Sequence, residues 1–360
     1  MNVNSRLRPS AALLAAIGLF VAAAGCGESG SGKSNAANGA SALSGEIVID
    51  GSSTVYPMTE GVANSFEQRY PNVKVRVGKS GTGGGFKTFT SGETDISDAS
   101  RPITADEFEL CKANNVAFIE LPIAYDGLSI VVNPQNDWAR QLTIEQLQRI
   151  YLEEHAAKSW NEVDDAWPDV PIAVYSPGTD SGTFDYFKEI VAPKDQASGK
   201  EPAIRGDMST SEEDNDLVRG VAGNRGAIGY FGASYYFNNR EQLRAVPIVD
   251  PGTGQAVAPT PETIESGEYA PFSRPLFIYV NAGGLKRPEL KRFVDFYLDQ
   301  APEVARHVDY VALPEAIYEA ARQHYTERFT GTHFLTPDGQ KRSGPLAEVY
   351  TRENLVTIDD

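Results

Sequence analysis

The chain has 360 residues, 49 acidic against 32 basic side chains, a formal net charge of −17 and only two cysteines. That balance excludes nucleic acid as a partner, because nucleic-acid binding needs a basic face. It also removes long-range steering of an anionic ligand, so any anion must be held by local dipoles.

Residues 1–25 read as a bacterial secretory signal peptide. Arg6 and Arg8 precede an apolar run from Ala11 to Ala24, shorter than the roughly 20 residues that span a bilayer. Small residues then lead into Cys26, as in a lipobox, with Ala23 where leucine is favoured. Cys26 is therefore the expected lipid attachment site. Residues 26–44 are rich in Gly, Ser, Asn and Ala and read as a flexible tether. Cys111 is then the one remaining thiol. It lies at helical spacing from Phe108 and is expected to be a buried apolar residue.

From Gly45 onward strands and helices alternate. EIVIDGS reads as a strand, and TEGVANSFEQRY as a helix with Val62, Phe66 and Tyr70 on one face. VKVRVG is a strand, GGGFKTFTSGE a glycine turn and short helix, and TDISDAS a strand. TADEFELCKANN is a helix with Thr104 and Glu107 placed as a capping box. VAFIELPIA and DGLSIVVN read as two strands, the second antiparallel. LTIEQLQRIYL is a helix capped by Thr143. VPIAVYS, TFDYFKEIV, GAIGYFGASYY and RPLFIYVN continue the alternation. LKRPELKRFVDFYLD and the segment around PEVARHV read as helices, and the last thirty or so residues as loop and exposed tail. The pattern predicts a parallel-rich α/β fold with ligands at the carboxyl ends of the strands.

Two segments carry the chemistry. GSSTVYP (51–57) and YSPGTDSGTFDYF (175–187) each run from a strand through a Gly/Ser/Thr turn into a helix. Such turns aim backbone N–H groups and hydroxyls at an oxyanion. GSSTVYP alone could equally be a plain N-cap turn. In VGKSGTGGGFK, GKS resembles the tail of a nucleotide P-loop, but the glycine needed upstream of Lys79 is absent. A glycine turn offering Ser80 and Thr82 remains. SDASRPI puts Ser100 and Arg101 at a strand's end, where an arginine suits bidentate oxyanion binding. Asp180 to Thr183 match the aspartic-protease tetrapeptide, but the chain lacks the second copy that enzyme needs. There is no Gly-x-Ser-x-Gly elbow around Ser181. The histidines (His155, His307, His324, His333) show no metal or triad spacing, and surface roles are expected.

In order, GSSTVYPMTE, GTGGGFKTFTSGETDISDASRPI, AYDGLSIVVNP, YSPGTDSGTFDYF, SEEDN and GAIGYFG resemble the phosphate-binding proteins of bacterial high-affinity phosphate ABC transporters. The likeness runs from about residue 45 to 330 and is greatest to the cyanobacterial branch. The resemblance implies a type II periplasmic-binding-protein fold, with two α/β lobes joined by a two-crossing hinge. Lobe 1 would comprise residues 45–132 and 274–360, and lobe 2 residues 133–273. The chain would cross near Asn133 and return near Ser273.

The resemblance also implies a phosphate site of Ser53, Thr54, Ser80, Thr82, Ser100 and Arg101 from lobe 1, and Ser181, Gly182 and Thr183 from lobe 2. One branch of the family has an arginine where Pro177 stands, so Arg101 is the expected guanidinium. That branch also has an aspartate where Ser100 stands. Asp126 is the first candidate to accept the phosphate proton, with Asp98 and Asp180 as alternatives. The implied partners are inorganic phosphate and permease subunits, with the membrane reached only through the lipid. A monomer in the cell envelope, without cofactor, metal or catalysis, is expected. Alternatives are a receptor for sulfate, molybdate or a phosphonate, and a secreted hydrolase using Ser181.

Overall fold

The computed structural model describes residues 43–179, 181–194, 199–211 and 213–358. The expected signal segment, Cys26, nearly all of the tether and Asp180 lie outside these residues. In chain order the principal elements of the first part are β1 (Gly45–Gly51), α1 (Tyr56–Arg69), β2 (Val73–Val77), α2 (Thr82–Thr90), β3 (Ile96–Ala99), α3 (Ala105–Ala113) and β4 (Phe118–Val132). Next come α4 (Ile144–Tyr151), β5 (Ala173–Pro177), α5 (Gly182–Val191), β6 (Ser209–Ser211), α6 (Asp214–Gly223), β7 (Ala227–Gly232) and α7 (Ala233–Asn239). The chain then returns through β8 (Ser273–Asn281), α8 (Pro288–His307), α9 (Glu315–Glu327), β9 (Gly331–Thr332) and β10 (Val356–Thr357).

The main sheet runs β2-β1-β3-β8-β4-β7-β5-β6. β1 pairs in parallel with β2 and β3, and β5 in parallel with β6 and β7. These parallel sets form two α/β lobes, joined by antiparallel β4 and β8. The two segments expected as separate strands are one strand, β4, buried along all 15 residues. Pro122 does not break it, because the register against β8 shifts between Leu276 and Phe277 and leaves Ile123 without a partner there. The Ile123 carbonyl instead accepts from the Tyr318 hydroxyl at 2.9 Å. β4 changes partner from β8 to β7 between Gly127 and Leu128, ahead of Asn133. The strand that pairs with β4 on the way back, β8, starts at Ser273.

Local signals formed the elements they predict. α1 buries Met58, Val62 and Phe66, with Phe66 edge-on to Phe293 of α8 at 5.2 Å. Removing a ring of this kind costs about 3–5 kcal/mol. Capping boxes close at Thr104/Glu107 and Thr143/Gln146. Cys111 is buried. α8 differs from expectation, since it is one helix of 20 residues with Pro302 inside it. Proline lacks the N–H that should reach the carbonyl four residues back. That carbonyl, of Leu298, accepts from Arg322 at 3.2 Å instead.

The C-terminal segment is not an exposed tail. Phe334, Leu335, Leu346, Val349 and Tyr350 are all buried, and β9 joins β4 and β10. Its anchor is Glu120 of β4, whose carboxylate accepts from Tyr279 (2.8 Å), Thr332 (2.7 Å) and the His333 backbone N–H (2.9 Å). The His333 ring Nδ1 lies 3.0 Å from the same carboxylate. His324 and His333, expected at the surface, are buried and stacked at 4.8 Å. The segment is rich in polar residues and glycines. A buried carboxylate that satisfies those polar groups is invisible in one segment alone.

Burial, with neighbouring His333 adding, pushes the His324 imidazole down from 6.5 to about 4. Between those values the unfolded chain takes a proton that the folded state refuses. Stability is therefore present above about pH 6.5 and falls as pH drops towards 4, by about 3 kcal/mol in full. His324→Phe should shrink the loss of Tm between pH 7 and pH 4.5 relative to the native chain. An unchanged loss would remove His324 from the acid response.

Candidate functional site

β1, β5 and β7 end at Gly51, Pro177 and Gly232, and the loops that follow open into one cleft of about 650 Å³. Gly51 is required at the first of these ends. Its φ is +146°, and a β-carbon would lie 2.1 Å from the Asp98 carbonyl oxygen. The close approach lets Ser52 N–H donate to that carbonyl at 2.9 Å, which fixes the loop of Ser53 and Thr54.

The cleft lining includes the start of five helices. Tyr56 begins α1, Gly81 caps α2, Ser181 caps α5, Asp214 begins α6 and Gly232 caps α7. Each helix N-terminus carries about half a positive charge in unpaired N–H groups. Both lobes contribute these N–H groups, and Lys79, Asp185, Asp214 and Asp309 are the charged side chains beside them in the cleft lining.

Of the expected residues, Ser53, Ser80, Ser181, Gly182 and Thr183 line the cleft. The Ser181 hydroxyl accepts from Thr183 N–H at 3.2 Å. Ser53 donates to Asp185 across the lobes at 3.0 Å, and Ser80 donates to Asp50 at 2.8 Å. The hydroxyls of Thr82 and Ser100 lie 3.0 Å apart and bond to each other; neither residue lines the cleft.

Thr54 is buried at the lobe contact. A β-carbon on Gly182 would lie 3.0 Å from Thr54 Cα, so the two anion loops meet backbone to backbone. Gly182→Val should prop the lobes apart and weaken ligand binding at least tenfold while Tm changes little. Titration calorimetry and a melting curve read both, and unaltered affinity would mean the loops separate when the ligand is bound.

Arg101 does not reach the cleft. Its guanidinium is held bidentately by Glu107 at 2.7 and 2.8 Å and lies over the Phe86 ring. Glu107 is the residue that closes the α3 capping box, so the pair is a local brace.

The guanidinium behind the anion loops belongs to Arg274 of β8. It donates to Thr54 Oγ1 (3.1 Å), Asp126 Oδ2 (3.3 Å) and Glu189 Oε2 (2.7 Å), and stacks 3.5 Å above the Tyr186 ring. Asp126 is buried. Burial pushes its carboxyl up to about 6, against the pull of the Arg274 charge. Asp98 lies in the lobe 1 core and does not line the cleft. Sequence reasoning missed Arg274, Asp185 and Tyr310, whose hydroxyl donates to the Thr54 carbonyl at 2.6 Å. Among the described residues there is no acid, histidine and cysteine cluster able to hold a metal, and no helix long and apolar enough to cross a membrane.

Two α/β lobes, two crossing strands and an interlobe cleft ringed by helix N-termini define a solute-binding protein. The PBP superfamily domain model matches residues 36–301. The chain is 44% identical over 297 residues to Protein SphX of Synechococcus elongatus, covering 82% of this chain and 86% of that one. It is 37% identical over 303 residues to the phosphate-binding protein PstS of Staphylococcus aureus, covering 84% and 86%. Among solved structures, one described as a possible phosphate binding protein from Planctomyces limnophilus aligns with a TM-score of 0.75. That structure is 43% identical, over 79% of this chain and 99% of that one. An ABC-type phosphate transport receptor from Vibrio cholerae aligns with a TM-score of 0.58 at 25% identity, over 75% of this chain and 100% of that one. The chain belongs to the PBP superfamily and, within it, to the family of SphX and PstS.

Proposed function

We propose that this chain is an extracytoplasmic receptor that binds inorganic phosphate between its lobes and delivers it to an ABC permease. The observation that carries this reading is the convergence of five helix N-termini, from both lobes, on one cleft. The names of the SphX and PstS relatives support phosphate as the anion. Ser53, Ser80, Ser181, Gly182 and Thr183 contact the ligand. Thr54, Thr82, Ser100 and the Asp126–Arg274 pair hold those loops in place. Arg101 is left out, because Glu107 occupies its guanidinium. Lobe 1 comprises residues 45–127 and 274–358, and lobe 2 residues 128–273, a division suggested by the change of partner on β4 and the start of β8.

The protein works as a monomer and without catalysis. Residues 1–25 direct export, Cys26 carries the lipid and residues 26–44 form the leash. Loss of labelled palmitate in Cys26→Ser tests the anchor. The function is tested by calorimetric titration of the purified protein, stripped of anion, with phosphate and then sulfate at pH 7. Tight one-to-one phosphate binding that excess sulfate does not displace supports the reading. Absence of phosphate binding overturns it, and turnover of a chromogenic phosphate ester would restore the hydrolase alternative.

A further inference from the structure

The polarity of the Ser53 hydroxyl is unexpected in an anion site. Hydroxyls that hold a fully deprotonated oxyanion donate their proton to it. Ser53 lines the cleft, yet its single proton is given to Asp185 Oδ2 at 3.0 Å. A carboxylate oxygen there can only accept from an uncharged hydroxyl. The Ser53 oxygen therefore presents lone pairs, not a proton, to whatever occupies the cleft. Ser80 repeats the pattern, donating to Asp50 at 2.8 Å.

We propose that Asp185 is a specificity-determining residue, which turns Ser53 into a hydrogen-bond acceptor so that the cleft selects oxyanions carrying an O–H group. The inference rests on the receptor reading above. Phosphate near neutral pH has at least one O–H, which Ser53 accepts. Sulfate has none, so its oxygen would face the Ser53 lone pairs with no proton between them. A polar pair left unmatched in a closed site costs more than a missing contact. Ser53 belongs to lobe 1 and Asp185 to the first turn of α5 in lobe 2. The acceptor exists only when the lobes close, so protonation of the ligand is read at closure. Asp126, by contrast, is buried and engaged with Arg274, and neither residue lines the cleft.

The test compares phosphate, arsenate and sulfate on the native protein and on Asp185→Asn, by calorimetry at pH 7. Arsenate carries an O–H as phosphate does, and so controls for size and general damage. In Asp185→Asn the amide can donate to Ser53 and free its proton for the ligand. The phosphate-to-sulfate affinity ratio should fall at least tenfold, while the phosphate-to-arsenate ratio stays within about twofold. A purely structural role for Asp185 would weaken all three anions together and keep both ratios, which overturns the proposal. If Asp185→Asn fails to fold, Ser53→Ala gives the same reading, because it deletes the lone pairs that repel sulfate. A native protein that binds phosphate while both variants still exclude sulfate overturns this proposal alone. A native protein that binds neither phosphate nor arsenate overturns the receptor reading, and the proposal with it.

Discussion

Arg274→Ala is expected to lower stability by about 3–5 kcal/mol, the usual cost of leaving a buried charge without its partner. Arg274 is the central tie of the hinge. Its side chain is only 14% exposed, and one guanidinium joins Asp126 of β4, Glu189 of α5 and Thr54 of the first anion loop. Removing it strands Asp126, whose side chain is 3% exposed. The carboxyl, already pushed up to about 6 by burial, can then escape the cost by taking a proton. The destabilisation should therefore be smaller at pH 5 than at pH 8, and Asp126→Asn in the same chain should recover most of it. Phosphate binding should weaken at least hundredfold, since Thr54 loses its partner and the lobes lose a cross-link. Arg101→Ala is the contrast. Its ion pair with Glu107 is 40% exposed on the arginine side, and exposed pairs contribute about 0–1 kcal/mol. Phosphate affinity should stay within threefold of the native value. Melting curves and calorimetry on both variants decide the matter. A hundredfold loss in Arg101→Ala and none in Arg274→Ala would return the guanidinium role to Arg101.

Asp98→Asn should stabilise the protein, and more so as pH rises. The Asp98 side chain is fully buried, and neither carboxyl oxygen has a hydrogen-bond partner among the described residues. Burial pushes this carboxyl from 3.8 up to about 8, with the nearby Thr59 hydroxyl pulling it back and the Asp50 charge adding to the rise. The folded state thus keeps a proton that the unfolded chain has released. The native chain has its full stability from this residue below about pH 4. It loses that stability progressively as pH climbs to 8, by an amount on the order of 5 kcal/mol. Asparagine has nearly the same shape and no charge to bury, so the loss disappears. The Tm of Asp98→Asn should match the native value near pH 4 and exceed it by pH 8. Parallel Tm profiles from pH 4 to pH 9 would mean that water reaches Asp98. Phosphate binding should change little, because the carboxyl faces the core.

Much of the molecule was legible in the sequence, for a physical reason. Capping boxes at Thr104 and Thr143, the apolar face of Val62 and Phe66, and the glycine turns before α2 and α5 act within a few residues of chain. The two Gly/Ser/Thr turns that open the cleft are signals of the same local kind. The strand–helix alternation behind them gave the α/β class, and the ordered motifs gave the family. The leader, the lipid and the tether are also sequence readings, and they stand as proposals.

What only the tertiary structure decided is how distant charges and polar groups are paired. Arg101, Arg274 and Arg287 all precede a proline, and nothing local separates them. Arg101 meets Glu107 only six residues along the chain. Arg274 meets Asp126 across 148 residues, because β8 lies beside β4. Ser53 finds Asp185 only where the lobes touch. The C-terminal segment reads as a tail until Glu120, more than two hundred residues upstream, satisfies Thr332 and His333. Sequence patterns report the conformational preferences of neighbouring residues, whereas burial and charge pairing depend on which strands the fold brings together.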